Sequence, residues 1–258
     1  VFHPDVTVFK VTKNGKQIGL WYFDPYARAG KNSGAWMSAY REQSKIDKKP
    51  LTTIVSNNSN FIKGKPGEPV LLSWDDAVTM FHEFGHALHG LNANVTYPSL
   101  SGTNVPTDYV EFPSQVLENY LETPDVLKLL TNAKGEAIPK ELIEKIEKTK
   151  TFNSGFSTVE FLASAIVDMK LHLSTEADID PKSFEKTALK DLGMPSEIVM
   201  RHRLPAFGHL FSGEGYAAGY YSYLWSQVLD HDAYEAFVEA GNPYDKATAK
   251  KLIDYVFS

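Results

Sequence analysis

Ser73-Trp-Asp-Asp-Ala-Val-Thr-Met-Phe-His-Glu-Phe-Gly-His-Ala-Leu-His-Gly90 is the stretch on which the reading of this chain turns. Ser73 followed three positions on by Asp76 is an arrangement that caps a helix N-terminus, because a hydroxyl and a carboxylate satisfy free amides of the first turn. The helix it opens is predicted to run from Trp74 to about Gly90. Phe81, Phe84 and Leu88 give that helix apolar faces, and Gly85 leaves room for a second backbone to approach. Within it, His82-Glu83-Phe84-Gly85-His86 fits H-E-x-x-H. At about 100° per residue the two histidines lie about 40° apart and one turn along the axis, so both imidazoles can reach one Zn²⁺. Glu83 projects from the neighbouring face, where a carboxylate can take a proton from a water on the metal without being a ligand. The competing explanation is a helix whose His and Glu side chains are merely solvated.

A third ligand is required, and position sorts the candidates. His89 returns to the face of His82 but about 10 Å further along the axis, too far to share a metal held at about 2 Å. It reads as a residue behind the ligands, a substrate-facing residue, or a plain structural one. The longer pattern H-E-x-x-H-x-x-G-x-x-H is excluded, because His89 stands at its glycine and Asn92 at its third histidine. Glu111, 25 residues after His86, is the better candidate, at the start of a helix beginning Glu111-Phe-Pro-Ser-Gln115. A glutamate from a second helix completes a His₂Glu site. Glu118, seven residues on, returns to nearly the same face and can accept a hydrogen bond from a ligand histidine, fixing its tautomer. A solvent-exposed helix glutamate explains Glu118 equally well.

Around this centre the chain is mainly α-helical, with a small β-sheet near the N-terminus. Val6 to Val11 and Ile18 to Phe23 flank Asn14-Gly15, a strong hairpin signal, since both residues accept the positive φ of a type I′ turn. Residues 52–56 read as another strand and 60–69 as a loop. Further helices are predicted near 113–122, 139–150, 156–174, 182–192, 217–240 and 245–256. The expected organisation is one catalytic domain over 1–258, with a β-rich lobe over 1–60 and a helical part over 70–258 that holds the metal.

Composition narrows the function classes. The chain has 258 residues, 43% of them hydrophobic, and a formal charge of -6 without a Lys/Arg block, which argues against nucleic acid as a partner. It contains no cysteine, so disulfides, thiolate zinc sites and cysteine nucleophiles are excluded. No apolar run approaches the roughly 18 residues of a membrane span. A monomer is expected, in the cytoplasm or alternatively the periplasm. Val1 in place of an initiator methionine points to residues removed upstream.

His82-Glu-Phe-Gly-His-Ala-Leu-His-Gly90 and Ser101-Gly-Thr-Asn-Val-Pro-Thr-Asp-Tyr-Val-Glu-Phe-Pro-Ser-Gln115 resemble the M3 family of zinc oligopeptidases. Ser33-Gly-Ala-Trp-Met37 and Gly215-Tyr-Ala-Ala-Gly-Tyr-Tyr-Ser-Tyr-Leu-Trp225 agree, and the peptidyl-dipeptidases are the branch most resembled. The resemblance implies a helical, bowl- or clam-shaped enzyme with one zinc at the floor of a deep channel, acting on short peptides. It implies His82, His86 and Glu111 as ligands, Glu83 as the base, and Tyr216, Tyr223 and His209 as groups near the substrate. His209 and Tyr216 stand one residue further apart than the resemblance leads one to expect. The chain is also shorter than family members usually are, as expected of a catalytic-domain fragment, which could be inactive alone. Arg201 and Arg203 are conceivable partners for a substrate's C-terminal carboxylate, although solvated arginines explain them too. If the chain turns helical at Tyr216, Tyr220 and Tyr223 fall about 40° and 20° to either side, so that three phenols share one face. The alternative is an aromatic packing stripe. A zinc-stabilised binding module without chemistry is the rival from another class, but it would be expected to have lost Glu83 or the tyrosines.

Overall fold

The computed structural model describes residues 1–132 and 134–258. Strands β1 (Thr7–Lys13), β2 (Lys16–Tyr26), β3 (Trp36–Arg41) and β4 (Thr53–Phe61) form one sheet in the order β1-β2-β4-β3. The hairpin turns at Asn14 and Gly15, both at positive φ, with Lys13 opposite Lys16. β2 and β4 run parallel, with Trp21 level with Val55, and β3 closes the far edge antiparallel to β4.

Strand β4 is longer than the sequence predicts, and β3 was not predicted at all. β4 continues through Asn57-Asn58-Ser59-Asn60, residue types disfavoured in strands. The amide of Asn57 is bonded at both ends: Trp21 Nε1 donates to Asn57 Oδ1 at 2.7 Å, and Asn57 Nδ2 donates to the carbonyl of Glu83 at 2.5 Å. β3 lies at an edge with its second half exposed, so it has no apolar alternation to announce it.

The helices are α1 (Trp74–Asn92), α2 (Thr107–Glu118), α3 (Pro124–Leu127), α4 (Lys140–Thr149), α5 (Ser154–Leu173), α6 (Pro181–Asp191), α7 (Ser222–Glu239) and α8 (Lys246–Tyr255). Ser73 and Asp76 form the predicted capping box on α1. α2 begins six residues before the predicted 113 and carries Pro113 inside it, and a 3₁₀ turn, Asn119–Glu122, follows. Pro113 reads as a helix start in isolation. Here the contact with α1 carries the helix through it. α7 starts at Ser222 rather than at 217, because the preceding residues form turns and Ala218 stands at φ 55°.

Two compact units are distinguished: residues 1–138 with 226–258, and residues 139–225. The first is built on α1 lying across the sheet, with Val55, Ala87 and Leu91 at the centre and Trp21, Met37 and Phe84 packed around them. Thr53 Oγ1 donates to the Gly90 carbonyl at 2.8 Å, so β4 holds α1 by polar bonds at two levels. The second unit gathers Val167, Ala188, Met200, Leu204, Phe207 and Leu210 between α5, α6 and the turns that follow.

Candidate metal centre

α1 and α2 touch backbone to backbone. A Cβ on Gly85 would lie 2.5 Å from Ser114 Cα and 2.8 Å from the Pro113 carbonyl, closer than atoms can come. Glycine at this position therefore lets the second helix bring Glu111 up to the two histidines. His82 Nε2 lies 3.0 Å and His86 Nε2 3.1 Å from the same oxygen, Oε2 of Glu111. The two rings stand nearly perpendicular, at 86°. Ligands bonded tetrahedrally at about 2.0–2.1 Å stand about 3.3 Å apart, so the Glu111 oxygen already sits close to that spacing from each imidazole nitrogen.

The surroundings orient these donors. Glu118 Oε1 lies 2.6 Å from His82 Nδ1 and can accept its proton, a bond that would leave the Nε2 lone pair for a metal when one is bound. Ser114 Oγ lies 3.0 Å from Glu111 Oε2. Burial works against a charge on His82, but the carboxylates of Glu111 and Glu118 outweigh it and push the imidazole up to about 10. Burial alone would raise Glu111, yet hydrogen bonds from His82 and His86 hold it well below the usual carboxylate range. Both shifts express one demand, for positive charge among the ligands, which a dication satisfies. Glu83 is 5% exposed, and its Oε2 has no hydrogen-bond partner. Burial raises its pKa against the opposing pull of His86 and His82. The donor set and the unpaired oxygen of Glu83 beside it fit a zinc ion, which His82, His86 and Glu111 would hold.

His89 does not join this group. It is 4% exposed, faces the rings of Tyr109 and Phe257, and is pushed down to about 4 by burial and by nearby His86. Among the described residues, His82, His86 and Glu111 are the cluster able to hold a metal.

Residues 1–255 match the sequence profile of Peptidase family M3. The chain belongs to this family. It is 44% identical over 248 residues to the dipeptidyl carboxypeptidase of Escherichia coli (strain K12), an alignment covering 93% of the chain and 36% of that protein. Oligopeptidase A of the same organism is 36% identical over 265 residues, covering 100% of the chain and 39% of that relative. Mitochondrial intermediate peptidase 2 of Cryptococcus neoformans is 30% identical over 269 residues, 89% of the chain and 32% of the relative. The chain spans about a third of the length of these M3 relatives.

The second unit holds the residues of the tyrosine motif. His209 stands at its centre, with ring centroids 4.9 Å from Tyr216, 5.6 Å from Tyr220 and 6.1 Å from Tyr223. The three phenols do not share a helix face as predicted. Tyr216 ends a 3₁₀ turn, Tyr220 lies in the loop, and only Tyr223 is on α7. They come together because the loop folds around His209, and Tyr220 packs on Phe207 and Phe161. Phe161, His202, Phe207, His209, Tyr220 and Tyr223 line a cavity of about 280 Å³. Arg203 is committed elsewhere, its guanidinium paired with the buried carboxylate of Glu185, which also accepts from the Leu204 amide.

Sequence reasoning passed over Asn57, Ser114 and Asp168, three buried polar residues that hold the backbone or the ligands in place. Asn57 gave a faint signal, as a polar run following an apolar strand. Asp168 gave none, because an aspartate four residues before a histidine on a helix is ordinary.

Proposed function

We propose that this chain carries the catalytic centre of a zinc-dependent peptidase that releases dipeptides from the free C-termini of short peptides. One observation supports this above the rest: His82, His86 and Glu111 converge beside Glu83, a buried carboxylate with one unpaired oxygen. One zinc ion per chain would be held by His82, His86 and Glu111. When bound, it supplies a Lewis acid that polarises the scissile carbonyl and lowers the pKa of water.

Glu83 takes a proton from the attacking water and passes it to the leaving amine. Its carboxylate is buried with one oxygen unpaired, so it is free to take the proton and to give it back. Glu118 fixes the tautomer of His82. Tyr216 and Tyr223 donate phenol hydrogens to the developing oxyanion, with His209 setting the direction of Tyr216, and Tyr220 lines the space for substrate. These tyrosine and histidine roles rest on the family motif and on the clustering around His209. His89, enclosed by rings, is left without a direct part. The same reading takes the enzyme to be a cytoplasmic monomer; calibrated gel filtration and cell fractionation test those two points.

Release of dipeptides is favoured over internal cleavage by the higher identity to dipeptidyl carboxypeptidase. Oligo-endopeptidase activity is the second reading, favoured by the match of oligopeptidase A over the whole chain. Mass spectrometry of products from matched free and amidated peptides decides between them. Loss of most of the rate on amidation is expected, and equal cleavage would select the endopeptidase. Glu83→Gln keeps the shape of the site and removes the proton acceptor. It should lower turnover by about 10²–10⁴-fold with one zinc still bound, and near-normal turnover would assign the base elsewhere.

A further inference from the structure

The segment Gly213 to Tyr221 that carries Tyr216 and Tyr220 has little packing of its own. It is exposed from Gly213 to Ala217 and contains glycines at 213, 215 and 219. Its local turns use the amides of Tyr216, Ala217, Gly219 and Ser222. The amides of Ala218 and Tyr220 go instead to side chains on α5, both to Asp168 and that of Ala218 also toward His172 Nδ1 at 3.3 Å. Asp168 Oδ1 accepts from Ala218 N at 3.1 Å, and Oδ2 accepts from Tyr220 N at 3.0 Å. His172, one turn on, has its Nδ1 2.8 Å from the same Oδ1. Phe161, two turns before Asp168 on the same face, stacks on the Tyr220 ring at 4.8 Å and 15°. One stripe of α5 thus grips the loop by a ring and by two amides either side of Gly219.

Asp168 is 0% exposed. A carboxylate so buried is costly unless it is fully hydrogen-bonded, and an apolar residue would pack α5 at less cost. What an apolar residue could not do is accept from two amides at once and hold Ala218 at φ 55°. We propose that Asp168 is a positioning residue for the peptidase reaction, fixing the loop so that the Tyr216 phenol is aimed before substrate arrives. This rests on the role given to Tyr216 above. Donors held in place beforehand need no reorganisation as the oxyanion develops, and a displacement of about 1 Å is enough to cost about 10²-fold in rate.

The test is a double-mutant cycle in the full-length protein, with Asp168→Asn, Tyr216→Phe and the pair. Asparagine keeps the volume but turns an NH₂ toward one of the two amides. Asp168→Asn should lower kcat about 10–10²-fold, with KM and zinc content nearly unchanged and some fall in Tm from the amide left without an acceptor. The paired variant should be no slower than Tyr216→Phe alone. Losses that multiply, or a fall in Tm with kcat unchanged, would overturn the proposal. A Tyr216→Phe variant with normal kcat would instead remove the tyrosine's role, and this proposal with it, so the two failures are told apart. If Asp168→Asn does not fold, Ala218→Gly keeps the carboxylate, accepts the positive φ freely and loosens the loop. A several-fold loss confined to kcat is expected of it, and an unchanged kcat counts against the assignment.

Discussion

The α1–α2 pair and the loop from Gly213 to Tyr221 both present chemical side chains, and they hold them by different means. On α1, His82, Glu83 and His86 take their directions from the helical repeat, and α2 is pressed against α1 where Gly85 meets Ser114. Each side chain inherits the rigidity of two packed helices. In the loop no repeat sets direction, the chain is largely exposed, and two of its amides are tied to a carboxylate about fifty residues away in sequence. A ligand set for a metal tolerates little movement, so a helix pair suits it. A group that must meet a charge developing on a substrate can stand on a loop, provided something distant aims it.

The largest effect that would sharpen this contrast is expected in the loop. Tyr216→Phe removes one hydroxyl and should lower kcat by about 10²–10³-fold with KM little changed. Steady-state kinetics alongside a melting curve would show it. A normal kcat with a lower Tm would make the phenols a packing cluster and end the comparison. In the helix pair, Gly85→Ala should force α1 and α2 apart. We expect a loss of about 1–3 kcal/mol in stability from overpacking, together with weaker zinc binding, both read by thermal melts with and without metal. Full zinc affinity in that variant would mean that the close approach does not place Glu111. The smallest effect is expected for Glu118→Gln, which still meets His82 Nδ1 but gives up the charge. Metal affinity should fall about 10–100-fold, measured by competition with a chelator. No change would reduce Glu118 to an ordinary helix glutamate.

Much of the centre was legible because it is periodic. The spacing of His82 and His86 needs only the helical repeat, and Ser73 with Asp76 marks where that helix starts. The hairpin at Asn14-Gly15 was legible for a similar reason, since few residues accept positive φ. The extent of β4 was not, because Asn57 and Asn58 are poor strand residues until Trp21 and the Glu83 carbonyl satisfy Asn57. Nor was the start of α2, since Pro113 looks like a beginning when its neighbours are unknown. The start of α7 failed differently. Residues 217–221 continue an aromatic pattern that suits a helix, but the amides of Ala218 and Tyr220 are taken by Asp168.

The sequence by itself determined the donor set of the candidate metal centre: which helix carries the two histidines, which carboxylate stands beside them, and that no cysteine competes. Those facts follow from residue types and from a repeat of 3.6, both of which are local. The tertiary structure decided which oxygen meets both imidazoles, which carboxylate lies against His82 Nδ1, and how the tyrosine loop is bent. Each of those depends on groups far apart in sequence coming within about 3 Å, the reach of a hydrogen bond. No local pattern encodes such a meeting, because it is set by packing of the elements as a whole.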